Sequence, residues 1–244
     1  MLIDILTIFP EFFTSPIGVG NVKIAREKGL LDLRITDIRD YSRDRHRKVD
    51  DYGFGGGPGM VMMVQPIYDA LKEIKDEKAH VVLFTPRGNT LTQNRVNELK
   101  EMEHLVFICG RYKGIDARLE HFVDEEISIG DYVVSGGEYA ALIVIDAVAR
   151  LMPGVIGDID SAMEDSYSSG LLDAPRYTRP REFMGMKVPD VLLSGNHKEI
   201  EKWRRTESLK LTLARKPYLL KEDSLNEEDR KIIKNLRNRD GKEE

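Results

Sequence analysis

Short apolar runs alternate with amphipathic segments over the first 110 residues, and this alternation constrains the fold more than any other feature of the chain. Runs that are apolar or alternate with period two predict strands, and they occupy residues 2–9, 31–38, 60–64, 80–85 and 104–109. Segments with helical spacing fill the intervals at 21–28, 65–76 and 92–102. The alternation predicts an α/β domain in which helices cover a parallel sheet.

The next segment predicts a short strand and a Gly-Gly turn at 127–137, followed by a helix at 138–152. The middle of this helix, residues 139–145, carries no charge. A helix that is apolar around most of its girth needs partners on several sides, which are supplied either by its own domain or by a second copy of the chain.

The composition changes beyond residue 157. Residues 157–169 are small and polar with four carboxylates, which favours a mobile linker. Strands are no longer predicted after it, and charged helices are expected at 198–216 and 226–238. We therefore expect a sheet domain over 1–160, a flexible linker over 161–172 and a small, mostly helical domain over 173–244.

Composition excludes several classes of protein. The single cysteine, Cys109, excludes an internal disulfide framework and a Cys-rich zinc module. The five histidines show no ligand spacing, so we predict no structural metal. No run approaches the ~18 uncharged apolar residues of a membrane span. The apolar start contains Asp4 and stops at Pro10, unlike an export signal, so a cytoplasmic location without membrane attachment is expected.

The net charge of −5 hides an uneven distribution. Residues 38–48 hold five Lys or Arg against two Asp, and residues 171–217 hold eleven Lys or Arg against six Asp or Glu. Two basic stretches in an acidic chain leave a polyanionic partner open, although a solvated charge on an exposed face is the better explanation for any single lysine.

Glycines mark the candidate ligand site. No glycine follows the first strand, so the Gly-x-Gly-x-x-Gly turn of a dinucleotide-binding fold is missing there. Glycines cluster instead at 53–59, 86–88, 109–114 and 128–137. Each cluster alone is typical of an ordinary turn. Three of them close successive apolar runs, which favours a single ligand cleft outside the carboxyl ends of the strands.

Several motifs agree in order and spacing with one known family. They are residues 55–66 (GGGPGMVMMVQP), 109–112 (CGRY), 128–138 (SIGDYVVSGGE), 145–150 (IDAVAR), 164–166 (EDS), 194–197 (SGNH) and 203–204 (WR). With these motifs the chain resembles the bacterial tRNA (guanine-N1)-methyltransferases of the SPOUT class, from the first strand to about Leu220. Several blocks that agree together are far more specific than a lone glycine motif.

The resemblance implies a fold and an activity. The fold is a SPOUT-type parallel sheet with a C-terminal trefoil knot, followed by the small helical domain. General experience with folded chains favours unknotted topologies, so the knot rests on the resemblance alone. The implied enzyme is a homodimer that transfers a methyl group from S-adenosylmethionine to N1 of the guanosine at tRNA position 37.

By the same resemblance, three loops bind the cofactor. The residues carried over are Leu83, Phe84, Thr85, Pro86, Gly110, Arg111, Tyr112, Ser128, Ile129, Gly130, Asp131, Tyr132, Val133, Val134, Gly136 and Gly137. The family also needs Mg²⁺, held loosely rather than by a dedicated site.

Methyl transfer to N1 of guanine requires a base for the N1 proton, and a cation helps where negative charge builds on O6. The resemblance assigns these roles to Asp165 and Arg150. Asp165 on a mobile linker would close only over bound substrate. Each residue also has a structural alternative: Asp165 as the cap of a following helix, and Arg150 as the partner of Asp146 in a helical ion pair.

The resemblance also implies contacts with the tRNA. The residues carried over are His46, Asp50, Pro58, Gly59, Ser166, Arg179, His197 and Arg204. In the family the loop at 55–59 borders the target base. Trp203, with Leu209 and Leu213, is expected in the core of the small domain rather than as a stacking platform.

The chain departs from the family at Lys113, where an acidic residue commonly follows the CGRY motif. The local charge beside the cofactor is then open, unless Asp116 or Glu138 compensates. Two other functions are alternatives: an RNA-binding module without catalysis, which would not bind S-adenosylmethionine, and a conventional nucleotide enzyme, which the missing first glycine turn disfavours.

Overall fold

The computed structural model describes residues 1–157 and 165–240, and at 239 and 240 the backbone only. The chain divides into two compact units, Met1–Ile159 and Asp160–Glu244. Among the described residues, no helix combines the length and apolar character that a membrane span requires.

The first unit is built on a five-stranded parallel sheet. Its strands are β1 (Leu2–Thr7), β2 (Asp32–Asp37), β5 (Ala79–Thr90), β6 (His104–Cys109) and β7 (Glu125–Ser128), in the spatial order β2-β1-β6-β5-β7. The short strands β3 (Asp50–Tyr52) and β4 (Met60–Met62) form a separate antiparallel pair. The parallel α/β architecture predicted from the alternation is confirmed.

Helices cover both faces of this sheet. Helices α1 (Gly20–Glu27), α3 (Gln93–Leu99) and α4 (Gly137–Ala149) pack on one face, and α2 (Val64–Ile74) packs on the other. Successive side chains of β5 alternate between these cores: Val82 and Phe84 face the first, and Val81 and Leu83 face the second. Burial on both faces explains why the strands read as apolar runs.

Two predicted strands differ from the structure. The segment at 60–64 does not join the parallel sheet, because β4 pairs antiparallel with β3 across a loop whose Gly55, Gly56, Gly57 and Gly59 all have positive φ. Strand β5 does not stop before residues 86–88. Its register shifts so that Ile127 faces both Phe84 and Asn89, and residues 85–88 bulge out of the ladder.

The second unit is mostly helical in its described part, with α5 (Asp190–Leu193), α6 (His197–Arg215) and α7 (Glu227–Asp240). A hairpin of β8 (Glu182–Phe183) and β9 (Met186–Lys187) corrects the expectation that strands end before this region. Two-residue strands are too short for any sequence periodicity to indicate them.

The core of the second unit contains Leu171, Leu209, Leu225 and Ile233. Of the three predicted core residues, Leu209 belongs to this cluster, whereas Trp203 and Leu213 are only partly buried. Residues 158–164 lie outside the described part of the chain, and with them the first four residues of the predicted linker 161–172. Leu171 is 2% exposed, so the predicted linker 161–172 includes a core residue of the second unit.

Candidate functional site

Three loops of the first unit enclose a cavity of about 560 Å³ at the carboxyl ends of β5, β6 and β7. We call it the three-loop cavity; its walls come from residues 83–87, 110–117, 127–130 and 132–137, together with Glu120 and Ala140. Fifteen of the sixteen predicted cofactor residues line it, and Asp131 does not. The glycine clusters at 86–88, 109–114 and 128–137 therefore do converge on one cleft.

The bulge in β5 directs part of the first loop into the cavity. Residues 85–88 leave the ladder to β7, and Thr85, Pro86 and Arg87 reach the cavity wall. Two further walls carry exposed apolar and aromatic side chains: Tyr112 is 49% exposed and Val133 is 86% exposed. Exposed apolar groups around a concave site are typical of a ligand-binding surface.

Glycines at two cavity loops are required by the packing of the chain itself. A Cβ at Gly88 would lie 2.5 Å from the backbone carbon of Glu126, and one at Gly137 would lie 2.8 Å from Cα of Cys109. The amide of Gly137 donates to the carbonyl oxygen of Gly110 at 2.9 Å. Glycines at this edge of the sheet were expected to allow close approach of a ligand, but at these two positions the close approach is to the backbone of a neighbouring strand.

A buried hydrogen-bond network lies behind the cavity wall. Glu138 is 0% exposed, accepts from Thr7 Oγ1 at 2.7 Å and accepts from Arg111 Nε at 2.8 Å. Arg111 lines the cavity and also donates from Nη1 to the carbonyl oxygen of Ser135 at 3.2 Å. The network joins the ends of β1, β6 and the loop before α4.

The cavity residue Lys113 has an acidic neighbour. Asp116 lines the same cavity, and the hydrogen bond from Arg118 lowers the pKa of the Asp116 carboxyl, which therefore stays ionised at neutral pH. Glu138, the other proposed compensating acid, binds Arg111 instead. Burial raises the pKa of the Cys109 thiol well above its ordinary value, which keeps this thiol neutral.

The β3–β4 pair adjoins the cavity loop at 110–116. The amide of Met62 donates to the carbonyl oxygen of Gly114 at 3.0 Å, and the amide of Lys113 donates to that of Met60 at 3.0 Å. Gly59 accommodates the stem of Lys113, since a Cβ there would lie 2.5 Å from Lys113 Cγ. The glycine loop 55–59, predicted to border the substrate, is thus attached to the cavity wall.

The family model described as "tRNA (Guanine-1)-methyltransferase TrmD" matches residues 1–222. The chain belongs to this family. It is 49% identical over 235 residues to the tRNA (guanine-N(1)-)-methyltransferase of Dictyoglomus turgidum, with 96% of each chain covered. It is 51% identical over 241 residues to the enzymes of that name from Bacillus cereus strain AH820 and Bacillus anthracis strain CDC 684, with 97% of this chain and 99% of the relatives covered.

The two residues to which the resemblance assigned catalysis belong to different units. Arg150 is the C-cap of α4 in the first unit, half-buried, with its amide bonded to the carbonyl oxygen of Asp146 at 3.0 Å. Asp165 begins a turn in the second unit, where its carbonyl oxygen accepts from Ser168 N at 3.1 Å. The helix-cap alternative for Asp165 is wrong, because a hydrogen-bonded turn follows it rather than a helix.

The turn that begins at Asp165 is fixed to α6. The amide of Leu172 donates to Thr212 Oγ1 at 3.0 Å, and Ser208 Oγ donates to the carbonyl oxygen of Leu172. Ser166 Oγ accepts from the amide of Asp173 at 2.9 Å, which closes the segment on itself. Residues 165–173 are therefore a structured part of the second unit.

The residues predicted to contact tRNA occur in both units. In the first unit, His46 and Pro58 are exposed and Asp50 pairs with Met62 in the β3–β4 ladder. In the second unit, Arg179, His197 and Arg204 are exposed, the last two on α6.

Part of the basic character is used within the protein. Arg43 pairs with Asp69 at 2.8 Å, and Lys48 pairs with Asp51 at 3.1 Å. On α6, Arg205 is turned towards the buried Asp229 at 2.7 Å. These pairs reduce the positive charge that the two stretches present to a polyanion.

Sequence reasoning missed several residues at the cavity. Arg87, Glu120, Ile127 and Ala140 line it, and Thr7 supports it from β1. The lining residues next to the glycine motifs could have been included by proximity. Thr7 could not, because its partner Glu138 is 131 residues away in the sequence.

Proposed function

We propose that the chain transfers the methyl group of S-adenosylmethionine to N1 of the guanosine at position 37 of tRNA. The observation that carries this proposal is the convergence of the three glycine-bearing loops on one cavity, in a chain that belongs to the tRNA (guanine-1)-methyltransferase family. The size of the cavity lies within the ~300–1,000 Å³ usual for sites of small molecules and cofactors.

The cavity residues suit an adenosine-bearing ligand. Leu83, Ile127, Ile129 and Ala140 provide apolar surface for a base, and the bulge and turns bring backbone groups of the three loops to the wall. When bound, S-adenosylmethionine supplies an electrophilic methyl group on a sulfonium. The residues of this chain then have to orient the guanine, remove its proton and stabilise the charge that develops.

Two side chains are assigned to that chemistry. The Asp165 carboxylate would accept the proton from guanine N1, which leaves an electron pair on N1 for the methyl group that bound S-adenosylmethionine would supply. The Arg150 guanidinium stabilises negative charge on O6. In this proposal Asp165 lies in the structured turn at 165–173. A tRNA that binds to the second unit therefore meets the general base already held by that turn.

The finer architecture belongs to the same proposal. We assign a trefoil knot to the loops around the cavity, supported by the tight packing of Gly137 against Cys109. We assign a homodimer, supported by Tyr139 and Ile143 of α4, each 45% exposed on a helix whose other apolar side chains are buried or partly buried. We assign the binding of tRNA to the second unit, with Ser166, Arg179, His197 and Arg204, and to the loop residues His46, Asp50, Pro58 and Gly59. A tRNA substrate implies that the protein acts in the cytoplasm.

No step of the proposed reaction uses magnesium. The described residues contain no group of three or more His, Cys, Asp or Glu side chains arranged to hold a metal. The cavity carboxylates Asp116 and Glu120 are paired with Arg118 and Arg87, and Lys113 lies at the same wall. These donors do not fit a Mg²⁺ site.

The test is incubation with methyl-labelled S-adenosylmethionine and a tRNA transcript carrying guanosine at position 37. N1-methylguanosine is expected in that transcript and not in one with adenosine at 37. Asp165→Ala should lower turnover by about 10²–10⁴-fold with the dissociation constant for S-adenosylmethionine unchanged. A fully active Asp165→Ala enzyme would remove this residue from its role, and a wild-type protein that binds tRNA but not S-adenosylmethionine would favour the RNA-binding module.

A further inference from the structure

Glu138 is a carboxylate without solvent contact in the first turn of α4. Its Oε1 accepts from Thr7 Oγ1 and its Oε2 accepts from Arg111 Nε. Burying a charged carboxylate is unfavourable unless a partner compensates it, and here the partner is Arg111.

Arg111 is held on several sides at the cavity. Besides Glu138, it donates to the carbonyl oxygen of Ser135, and its guanidinium lies over the ring of Phe9 at 4.6 Å from the centroid. Gly136 leaves room for this arrangement, since a Cβ there would overlap both Arg111 and Glu138. The position of Arg111 is thus determined by the loop that precedes α4.

The charge of Arg111 matters for a cationic ligand. An uncompensated guanidinium on the cavity wall repels a positive ligand, and the repulsion is stronger in a partly buried site than in water. Glu138 lies 2.8 Å from Arg111 Nε and does not itself line the cavity. The pair therefore presents hydrogen-bonding groups to the cavity with little net charge.

We propose that Glu138 is a positioning residue that neutralises Arg111. This neutralisation lets the three-loop cavity bind both a sulfonium cation and its neutral thioether counterpart. The inference rests on the proposed function, because it presupposes that S-adenosylmethionine occupies the cavity. Glu138 thereby gains a role in ligand selectivity. The preference of the cavity between a charged methyl donor and its uncharged product depends on this residue, which does not line the cavity.

The test compares two ligands that differ in this charge. Dissociation constants of S-adenosylmethionine and S-adenosylhomocysteine are measured by calorimetry for the wild type, Glu138→Gln and Thr7→Val. Glu138→Gln should weaken S-adenosylmethionine about tenfold more than S-adenosylhomocysteine. Thr7→Val is the matched control, because it removes the other hydrogen bond of Glu138 without changing a charge, and it should affect both ligands equally.

A second variant keeps the test decisive if Glu138→Gln does not fold. Ser135 is an exposed residue of the cavity wall and its Oγ lies 3.4 Å from Arg111 Nη1, so Ser135→Asp adds a negative charge beside Arg111. It should shift the ratio of the two dissociation constants several-fold in favour of S-adenosylmethionine. In the Glu138→Gln background it should restore the wild-type ratio.

The outcomes separate the two claims. Equal weakening of both ligands by Glu138→Gln, or an unchanged ratio in Ser135→Asp, overturns the role of Glu138 while leaving the proposed function intact. A wild-type protein that binds neither ligand overturns the proposed function itself.

Discussion

Single residues determine how closely the loops of the cavity approach one another. Gly88 faces the backbone of Glu126, and Gly137 faces the backbone of Cys109. Backbone atoms cannot move aside as the end of a flexible side chain can, so any Cβ at these positions must displace a strand or a loop. Their role in the site is indirect: they set the spacing of the walls.

Gly88→Ala should therefore impair the cavity more than a surface substitution does. We expect a loss of about 1–3 kcal/mol in the free energy of unfolding, typical of overpacking, together with weaker binding of S-adenosylmethionine. Gly18→Ala is the control, because nothing lies within 4 Å of a Cβ there. Urea denaturation and calorimetry provide the two readouts, and equal behaviour of the two variants would contradict the packing argument.

Asp229 stabilises the second unit through several hydrogen bonds. It accepts from Arg205 Nε and Nη2 at 2.9 and 2.7 Å, and it forms a reciprocal cap with Asn226 at the start of α7. The hydrogen bond from Arg205 lowers the pKa of the Asp229 carboxyl. A lowered pKa means that the stabilisation is complete above the pKa of the unfolded chain and is lost as the pH falls through the folded-state value.

We expect Asp229→Asn to lower the free energy of unfolding of the second unit by about 2 kcal/mol at pH 7, and to reduce its loss of stability below about pH 4. Trp203 is the single tryptophan of the chain and lies on α6, so its fluorescence reports on this unit. The exposed Asp223→Asn is the control. The same pH profile in wild type and Asp229→Asn would contradict the assignment.

At the scale of elements, the periodicity of apolar residues predicts those strands and helices whose burial requires an apolar pattern. The central strands β1, β5 and β6 are recognisable because two buried faces require apolar runs, and the helices α1 to α3 because one buried face requires helical spacing. The elements that were missed, β3, β8, β9, α5 and the end of β5, have two to four residues or depend on pairing with a distant strand. Pairing of this kind is not encoded in a local window.

The same reasoning explains what was predictable at the candidate site. The loops at 86–88, 109–114 and 128–137 were recognisable because glycines mark turns wherever the chain places them. The network of Thr7, Arg111 and Glu138 was not, because its members meet only in the folded sheet. The resemblance supplied roles for Asp165 and Arg150 that spacing alone left open.

Helix α6 holds the segment that carries Asp165. The side chains of Ser208 and Thr212 bind both backbone groups of Leu172, and Thr212 is fully buried. Thr212→Val keeps the shape but removes the acceptor, so the Leu172 amide loses its partner. We expect faster amide exchange at Leu172 and, if Asp165 is the base, a lower kcat with an unchanged dissociation constant for S-adenosylmethionine.

The control for this prediction is Thr206→Val on the same helix. Thr206 Oγ1 donates only to the carbonyl oxygen of Lys202, so its replacement leaves Leu172 bound. Unchanged amide exchange at Leu172 in Thr212→Val would show that the clamp does not hold the segment.

At the scale of the whole molecule, the proposed dimer explains an apolar face of α4. Ile143→Lys places a charge on that face and should convert a particle of about twice the 27.8 kDa chain mass into one chain, as measured by light scattering. Asn97→Lys adds the same charge at an exposed position of α3 and should leave the mass unchanged. A wild-type mass of one chain would refute the dimer.

The central claim is that three loops of one parallel sheet form the binding site of the methyl donor. The most direct measurement is a crystal structure of the full chain grown with S-adenosylmethionine. The account predicts ligand density among residues 83–87, 110–117 and 127–137, with the base against the apolar wall formed by Leu83, Ile127, Ile129 and Ala140. Density for the ligand elsewhere on the protein, with this cavity empty, would contradict it.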